Sequence, residues 1–490
     1  MKRYLYLWHR WLGIGLCLLL ALWFGSGLVM LYVGYPKLTP TEHWARLPVL
    51  ALDDCCVEPG RLLNGLPGPV NSLRLTSIAG KPHYLLNQAT QVHAFDARTG
   101  QPVAAVDAEL ALASAAQFAP GVALNYHGLI DEDPWTHTRS LDPDRPLHRL
   151  QIADEQRRWL YISSASGAVV RDVTALERGW NWVGAWLHWI YPLRGNWLQP
   201  LWHDAVVYLS VAATLLAVLG MVVGLLRWRF SKPYRSGSRS PYPDGFARWH
   251  HIGGLLFGLV LVAWIFSGLM SMRPWNLLAG QTAWLQAGYQ AGNLQQAAFD
   301  LPLPTALARL NANGPPVVEL EWRMLGGQSW LIGYAANGQS QIIALEPEAQ
   351  ARTQLDSNEL LVAAQAGLPG VGWQSEWVER YDLYYVARAE QSMYGHRLRP
   401  LPMLRIRFDD APATWLQLDP HTGAVLDVLD RNRRLARWLF NLLHSWDLPW
   451  LLERPRLREA VLIGFSLGGL LISLSGIALG WRRIRRIARA

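Results

Sequence analysis

Apolar positions gather into four long runs along this chain. The runs 11–36, 205–226, 252–272 and 460–481 contain no charged side chain. A helix needs about 20 residues, at ~1.5 Å each, to cross a hydrocarbon core of ~30 Å. Each run therefore predicts a transmembrane helix, at 11–32, 201–227, 250–272 and 457–482. The stretches between them read as strands joined by tight turns. Residues 82–86 and 92–96 close on Thr99-Gly100; 159–162 precede 166–170; and 415–418 lead into Asp419-Pro420-His421-Thr422-Gly423. Short helices are expected at 107–118 and 356–366, which makes each soluble stretch α+β with an antiparallel sheet. Segments 176–200 and 433–456 mix apolar and polar positions and carry Trp180, Trp182, Trp186, Trp189, Trp438 and Trp446. Each predicts an amphipathic helix lying at the membrane interface.

The pattern occurs twice. Trp8-His9-Arg10-Trp11-Leu12-Gly13 leads through an apolar run to Ser26-Gly27-Leu28, and Trp249-His250-His251-Ile252-Gly253-Gly254 leads at the same spacing to Ser267-Gly268-Leu269. Further on, a constant offset of 256 matches Trp159 with Trp415, Gly167 with Gly423, Trp182 with Trp438, His188 with His444, Gly220 with Gly476 and Gly224 with Gly480. The fold class expected is an α-helical membrane protein whose four transmembrane helices come from an internal duplication, with two periplasmic α+β domains at 33–175 and 273–432. Repeats of this kind place shared sites near their pseudo-symmetry axis.

Composition agrees with a membrane protein: 51% of the 490 residues are hydrophobic and 17% charged. Charge sets the orientation. The N-terminus (1–10), the loop at 228–249 with Arg227 before it, and the tail (483–490) with Arg482 hold fourteen Lys and Arg against the single acid Asp244. That is +13 in a chain of formal charge +8, so the remainder carries −5. The positive-inside rule puts both termini and this loop in the cytoplasm and the large domains outside. The basic balance is thus a topology signal and implies no nucleic-acid partner. The first run is too long for a signal-peptide core and is expected to be retained. Of three cysteines, Cys17 is expected to pack in a span; Cys55 and Cys56, adjacent in an outward loop, could pair with each other, stay free or bond a partner.

The candidate chemistry is carried by histidines. His9 and His250 sit near the inner ends of the first and third spans, each with a glycine one turn on, Gly13 and Gly254. A small residue at i+4 leaves a bare patch beside the imidazole. A flat macrocycle needs such a patch, and two facing imidazoles complete a six-coordinate haem iron. His188 and His444 form a second pair at the outer side, and the competing reading for all four is an ordinary interfacial histidine. His251 is an alternative to His250, turned about 100° from it. His203, beside Asp204 and matched by Glu459 in the second copy, is an alternative outer ligand. Ionisable groups at membrane depth favour function over anchoring. No dinucleotide fingerprint or phosphate loop is present.

The chain resembles the PepSY-associated transmembrane family, or iron-regulated membrane proteins, of Gram-negative bacteria. The motifs are Trp8-His9-Arg10-Trp11-Leu12-Gly13 with Ser26-Gly27, Arg399-Pro400-Leu401-Pro402 to Phe408-Asp409-Asp410, Trp438 to Trp446, and Ser475-Gly476 to Gly480-Trp481-Arg482-Arg483. The resemblance spans nearly the whole chain. It implies an inner-membrane protein with PepSY-like periplasmic domains. It also implies a di-haem reductase of ferric siderophores, with the family's helix histidines at His9, His188, His250 and His444. The expectation is two haem b groups, a lipid bilayer, a ferric siderophore as acceptor and a quinol or cytoplasmic reductase as donor. The rival expectations are a non-catalytic PepSY binding or regulatory protein and a siderophore permease. Four helices without broken segments speak against a permease.

Overall fold

Four helices long and apolar enough to cross a membrane dominate the computed structural model: Lys2–Met30, Gln199–Arg227, Phe246–Ser271 and Pro455–Ile487. The structure describes residues 2–490 apart from 53, 54, 71, 89 and 90. The first, third and fourth helices overrun the predicted spans at their basic ends, and the second ends at Arg227 as predicted. The N-terminal residues 2–10 are a continuation of the first helix rather than a separate tail, and the fourth runs on to Ile487. At 29 residues the first is ~43 Å long, more than a hydrocarbon core needs. Each helix packs on two neighbours, in the cyclic order first, fourth, third, second. The first and third therefore face each other diagonally. They meet through side chains such as Phe24 and Trp264, whose rings are 5.9 Å apart.

The three β-sheets found among the described residues lie in the segments that follow the first and third helices, beyond the bundle end opposite the basic segments. Strands Ser72–Ile78, Lys81–Gln88 and Gln91–Asp96 form an antiparallel meander, as do Val317–Leu325, Gln328–Ala335 and Ser340–Ala344. The two meanders were expected to lie in separate domains. Instead they join edge to edge through Leu73↔Trp322, Arg74↔Glu321 and Leu75↔Leu320 into one six-stranded sheet. Pairing removes two exposed sheet edges. Their apolar faces share a core of Leu73, Leu75, Tyr84, Leu86, Leu320 and Leu331 under the helix Leu303–Ala312. Two four-stranded sheets follow, one from Leu124–Ile130 to Val169–Val173 and one from Trp373–Val378 to Val425–Leu429. The helices Ala108–Phe118 and Ser357–Ala366 cover them, close to the predicted positions. The glycines expected at turns, Gly100, Gly167 and Gly423, have φ of 71°, 78° and 65°, values that Gly adopts without a Cβ clash.

The interfacial segments are broken rather than single helices. The first comprises Ala175–Asn181, Ala185–His188 and a 3₁₀ turn at Tyr191–Leu193. The second comprises Arg431–Arg437, a π-helical turn at Trp438–Leu442, Leu443–Ser445 and Pro449–Leu452. Each bends two residues past its histidine, at Ile190 (φ 53°) and Trp446 (φ 52°). Pro192 and Pro449, close behind, cannot continue the helix. Cys55 and Cys56 are joined as a disulfide, and Cys17 is free and buried in the first span.

Candidate functional site: two histidine pairs on the bundle axis

The histidines that the repeat singled out meet in two pairs. His9 of the first span and His250 of the third have ring centres 6.2 Å apart, with planes at 39°. His188 and His444 have ring centres 6.1 Å apart, at 74°. The segment bearing His188 packs on the first span and the segment bearing His444 on the third, so both pairs span the same diagonal. Ser26, which holds His188, is 17 residues beyond His9; the pairs are therefore ~25 Å apart along the helix. Leu20, Phe24, Ala213, Leu216, Leu261 and Ile265 fill the bundle between them.

Hydrogen bonds to Nδ1 orient the rings. His188 Nδ1 lies 3.1 Å from Ser26 Oγ, which donates to the Trp23 carbonyl at 3.1 Å. His444 Nδ1 lies 3.0 Å from Ser267 Oγ, which donates to the Trp264 carbonyl at 2.8 Å. The serine proton is used on the carbonyl, so each imidazole donates its Nδ1–H to the serine. His250 Nδ1 is 3.0 Å from the Ile472 carbonyl and 3.1 Å from Ser475 Oγ. For His9 the matching carbonyl is Leu216, and its buried Nδ1 has no hydrogen-bond partner among the described residues. No described residue hydrogen-bonds Nε2 of any of the four rings. Crowding by protein atoms holds His188 and His444 at pKa values of about 4, His444 adding to the effect on His188, so both are neutral.

Small residues line the rings. A Cβ at Gly220 would stand 2.8 Å from His9 Cε1, and one at Gly476 would stand 3.4 Å from His250 Cε1 and 2.6 Å from Cys17 Sγ. Gly27 is within ordinary contact of His188. Of the two expected bare patches, the one at Gly254 is open; at Gly13, Cys17 Sγ and a Leu216 methyl approach to 3.8 Å.

The alternative ligands stand elsewhere. His251 is buried with both nitrogens engaged: Nδ1 is 2.8 Å from Ser240 Oγ and Nε2 2.9 Å from the Gly224 carbonyl. It pins the basic loop to the bundle. His203 is half exposed, with Nδ1 3.3 Å from Asp204 Oδ1 and Nε2 3.0 Å from the Met272 carbonyl. His148 serves the folded framework, bridging Tyr126 and the Val106 carbonyl.

No protein-family model matches this chain, and no curated protein matches it. The chemistry must be read from the donors themselves. Among the described residues no three His, Cys, Asp or Glu side chains converge, so a bare cation finds no cage. Two imidazoles alone suit a metal that brings its own in-plane donors. Two metal–imidazole bonds of about 2 Å, with the nitrogen-to-centre distance added on each side, put ring centres about 6 Å apart. Both pairs have that separation. The two serines escaped the sequence reading as functional residues, although the repeated Ser-Gly motif marked their positions.

Proposed function

We propose that this chain is an inner-membrane electron-transfer protein that holds one haem b between His9 and His250 and another between His188 and His444. The observation that carries this reading is the paired ring separation, 6.2 and 6.1 Å, on one diagonal of the bundle. A haem held there supplies one-electron Fe(III)/Fe(II) chemistry, and two neutral imidazoles leave it no open position for oxygen. Ser26 and Ser267 fix the outer rings by taking their Nδ1–H, the role outer-shell acceptors play at metal sites. The core between the pairs is apolar, a lining that disfavours water and ions. The internal repeat supports a shared scaffold for both sites, since the order helix, three strands, helix, four strands occurs twice.

The acceptor we infer is a periplasmic ferric siderophore, on the strength of the PepSY-associated resemblance and of the charge pattern that puts the sheets outside. One electron converts Fe(III) to Fe(II), which hard oxygen donors hold less firmly. The donor is a quinol or a cytoplasmic reductase, since the chain carries no nicotinamide or flavin motif.

The test is the visible spectrum of detergent-purified protein, oxidised and dithionite-reduced. Soret and α bands are expected, with His9→Ala and His444→Ala each removing about half the haem. Full retention in either variant rejects that ligand. A colourless preparation from haem-replete cells sinks the electron-transfer reading and leaves a PepSY binding or regulatory role.

A further inference from the structure

Beside the outer histidine pair lies a cluster of charge that does not balance. Asp447, three residues past His444, is 1% exposed and accepts both terminal nitrogens of Arg388, one at 2.7 Å. That pair is complete by itself. Two more guanidinium groups nevertheless face the same carboxylate: Arg437 Nη2 is 3.7 Å from Oδ2 and Arg458 Nη2 is 3.7 Å from Oδ1. Arg458 also donates twice to the Ser445 carbonyl, at 3.0 and 2.7 Å, next to His444. Arg437 donates Nε to the Leu383 carbonyl, but its buried Nη2 has no hydrogen-bond partner among the described residues. Asp427, another carboxylate acting on Arg437, is paired with Arg399 at 2.6 Å. Three guanidinium groups and one carboxylate leave an excess of two positive charges in a largely buried setting.

The first copy does not repeat this arrangement. At the repeat offset, Arg437, Asp447 and Arg458 are replaced by Asn181, Tyr191 and Trp202. Tyr191 and Trp202 pack ring to ring at 6.0 Å, and Asn181 donates to the Gly34 carbonyl. There a single guanidinium, Arg194, lies over the Tyr191 and Trp202 rings at 5.0 and 4.7 Å and donates to Tyr191 Oη at 3.0 Å, so the first copy has one guanidinium on aromatic rings where the second has three around one carboxylate. Uncompensated buried charge is costly, and it is retained where a counter-ion completes it. A guanidinium fork fits a planar carboxylate with two parallel hydrogen bonds, the geometry Arg388 already makes with Asp447.

We propose that Arg437 and Arg458, with Arg388 and Asp447 behind them, form a carboxylate-binding site beside His444. The carboxylate has two possible sources. One is a propionate of a tetrapyrrole bound at the outer pair, which rests on the haem reading above. The other is a small soluble polycarboxylate, which does not.

Arg437→Gln and Arg437→Lys in the full chain in detergent separate them. The first arm measures haem transfer to apomyoglobin from protein loaded with haem or with haem dimethyl ester. A tenfold faster loss in Arg437→Gln, restored by Lys and absent with the ester, assigns a tetrapyrrole carboxylate. The second arm titrates iron-free citrate calorimetrically. A tenfold weaker affinity in Arg437→Gln with haem loss unchanged assigns a soluble carboxylate. No effect of Arg437→Gln in either arm overturns the site. If that variant aggregates, Arg458→Gln is measured in its place. A colourless wild type defeats the haem reading, and the citrate arm then decides this site alone.

Discussion

At the scale of single residues, the four paired histidines differ mainly in what their Nδ1 touches. The outer rings reach a serine whose proton is committed to a helix carbonyl, His250 reaches a carbonyl and a serine together, and His9 finds neither in good geometry. Removing such an acceptor leaves a buried N–H unpaired, at about 1–3 kcal/mol, and loosens the ring. If the outer pair holds haem as proposed, Ser267→Ala is expected to speed haem loss from that site by 10- to 100-fold, the range typical of outer-shell changes. Transfer kinetics to apomyoglobin measure this, and loss rates matching wild type would remove Ser267 from the site. The histidines were legible because the chain states them twice at fixed spacing. The choice between His250 and His251 was not, because one residue of helix rotation selects the face and only tertiary contacts reveal which face looks inward. Ser240 and the Gly224 carbonyl take up His251. Arg388, Arg437 and Arg458 come from three separate elements, so no local motif announced them.

At the scale of elements, the spans could be read directly, since an uncharged run of twenty residues has few other fates. Their packing could not. Gly220 in the second span is where the helix lets the His9 ring approach, and a Cβ there would lie 2.8 Å from Cε1. Gly464 in the fourth span faces open space, with nothing within 4 Å. Gly220→Ala is expected to displace His9 and, if the inner pair holds haem as proposed, to weaken or shift the signal of that site alone, leaving the helix intact, because Ala favours helix over Gly by about 1 kcal/mol. Gly464→Ala should leave both sites unchanged. Potentiometric titration with the visible spectrum compares them, and an unperturbed inner site in Gly220→Ala would contradict the packing. The interfacial segments misled for a physical reason. Their amphipathic composition predicts helix, but Gly184, Pro192 and Pro449 interrupt it, and the π-helical turn at Trp438–Leu442 resets the phase just before His444. Turns of this kind recur at functional sites.

At the scale of the whole molecule, the union of the two strand meanders has no local signature. Period-two alternation identifies a strand and its buried face but not its partner, and Leu75 pairs with Leu320 half a chain length away. The join carries a titratable lock. Glu319, on the strand Val317–Leu325, is 2% exposed and bonds His43 Nε2 at 3.0 Å and Trp44 Nε1 at 3.1 Å, both from the helix Pro40–Ala45. Arg74, across the sheet join, lies 3.7 Å away. Burial by itself would raise this carboxyl, but Arg74, His43 and Trp44 outweigh burial and hold it at about 2 rather than 4.5. A carboxyl depressed in the folded state stabilises fully above its unfolded value. Its contribution is then lost as pH falls from 4.5 towards 2. The shift corresponds to stabilisation on the order of 3 kcal/mol. Glu319→Gln cannot ionise, so it should melt earlier at pH 7 and lose much less stability than wild type between pH 4.5 and 2. Thermal melts of the full chain across that range, followed by tryptophan fluorescence, provide the comparison. If wild type and Glu319→Gln lose stability in parallel on acidification, this carboxylate does not lock the two halves together.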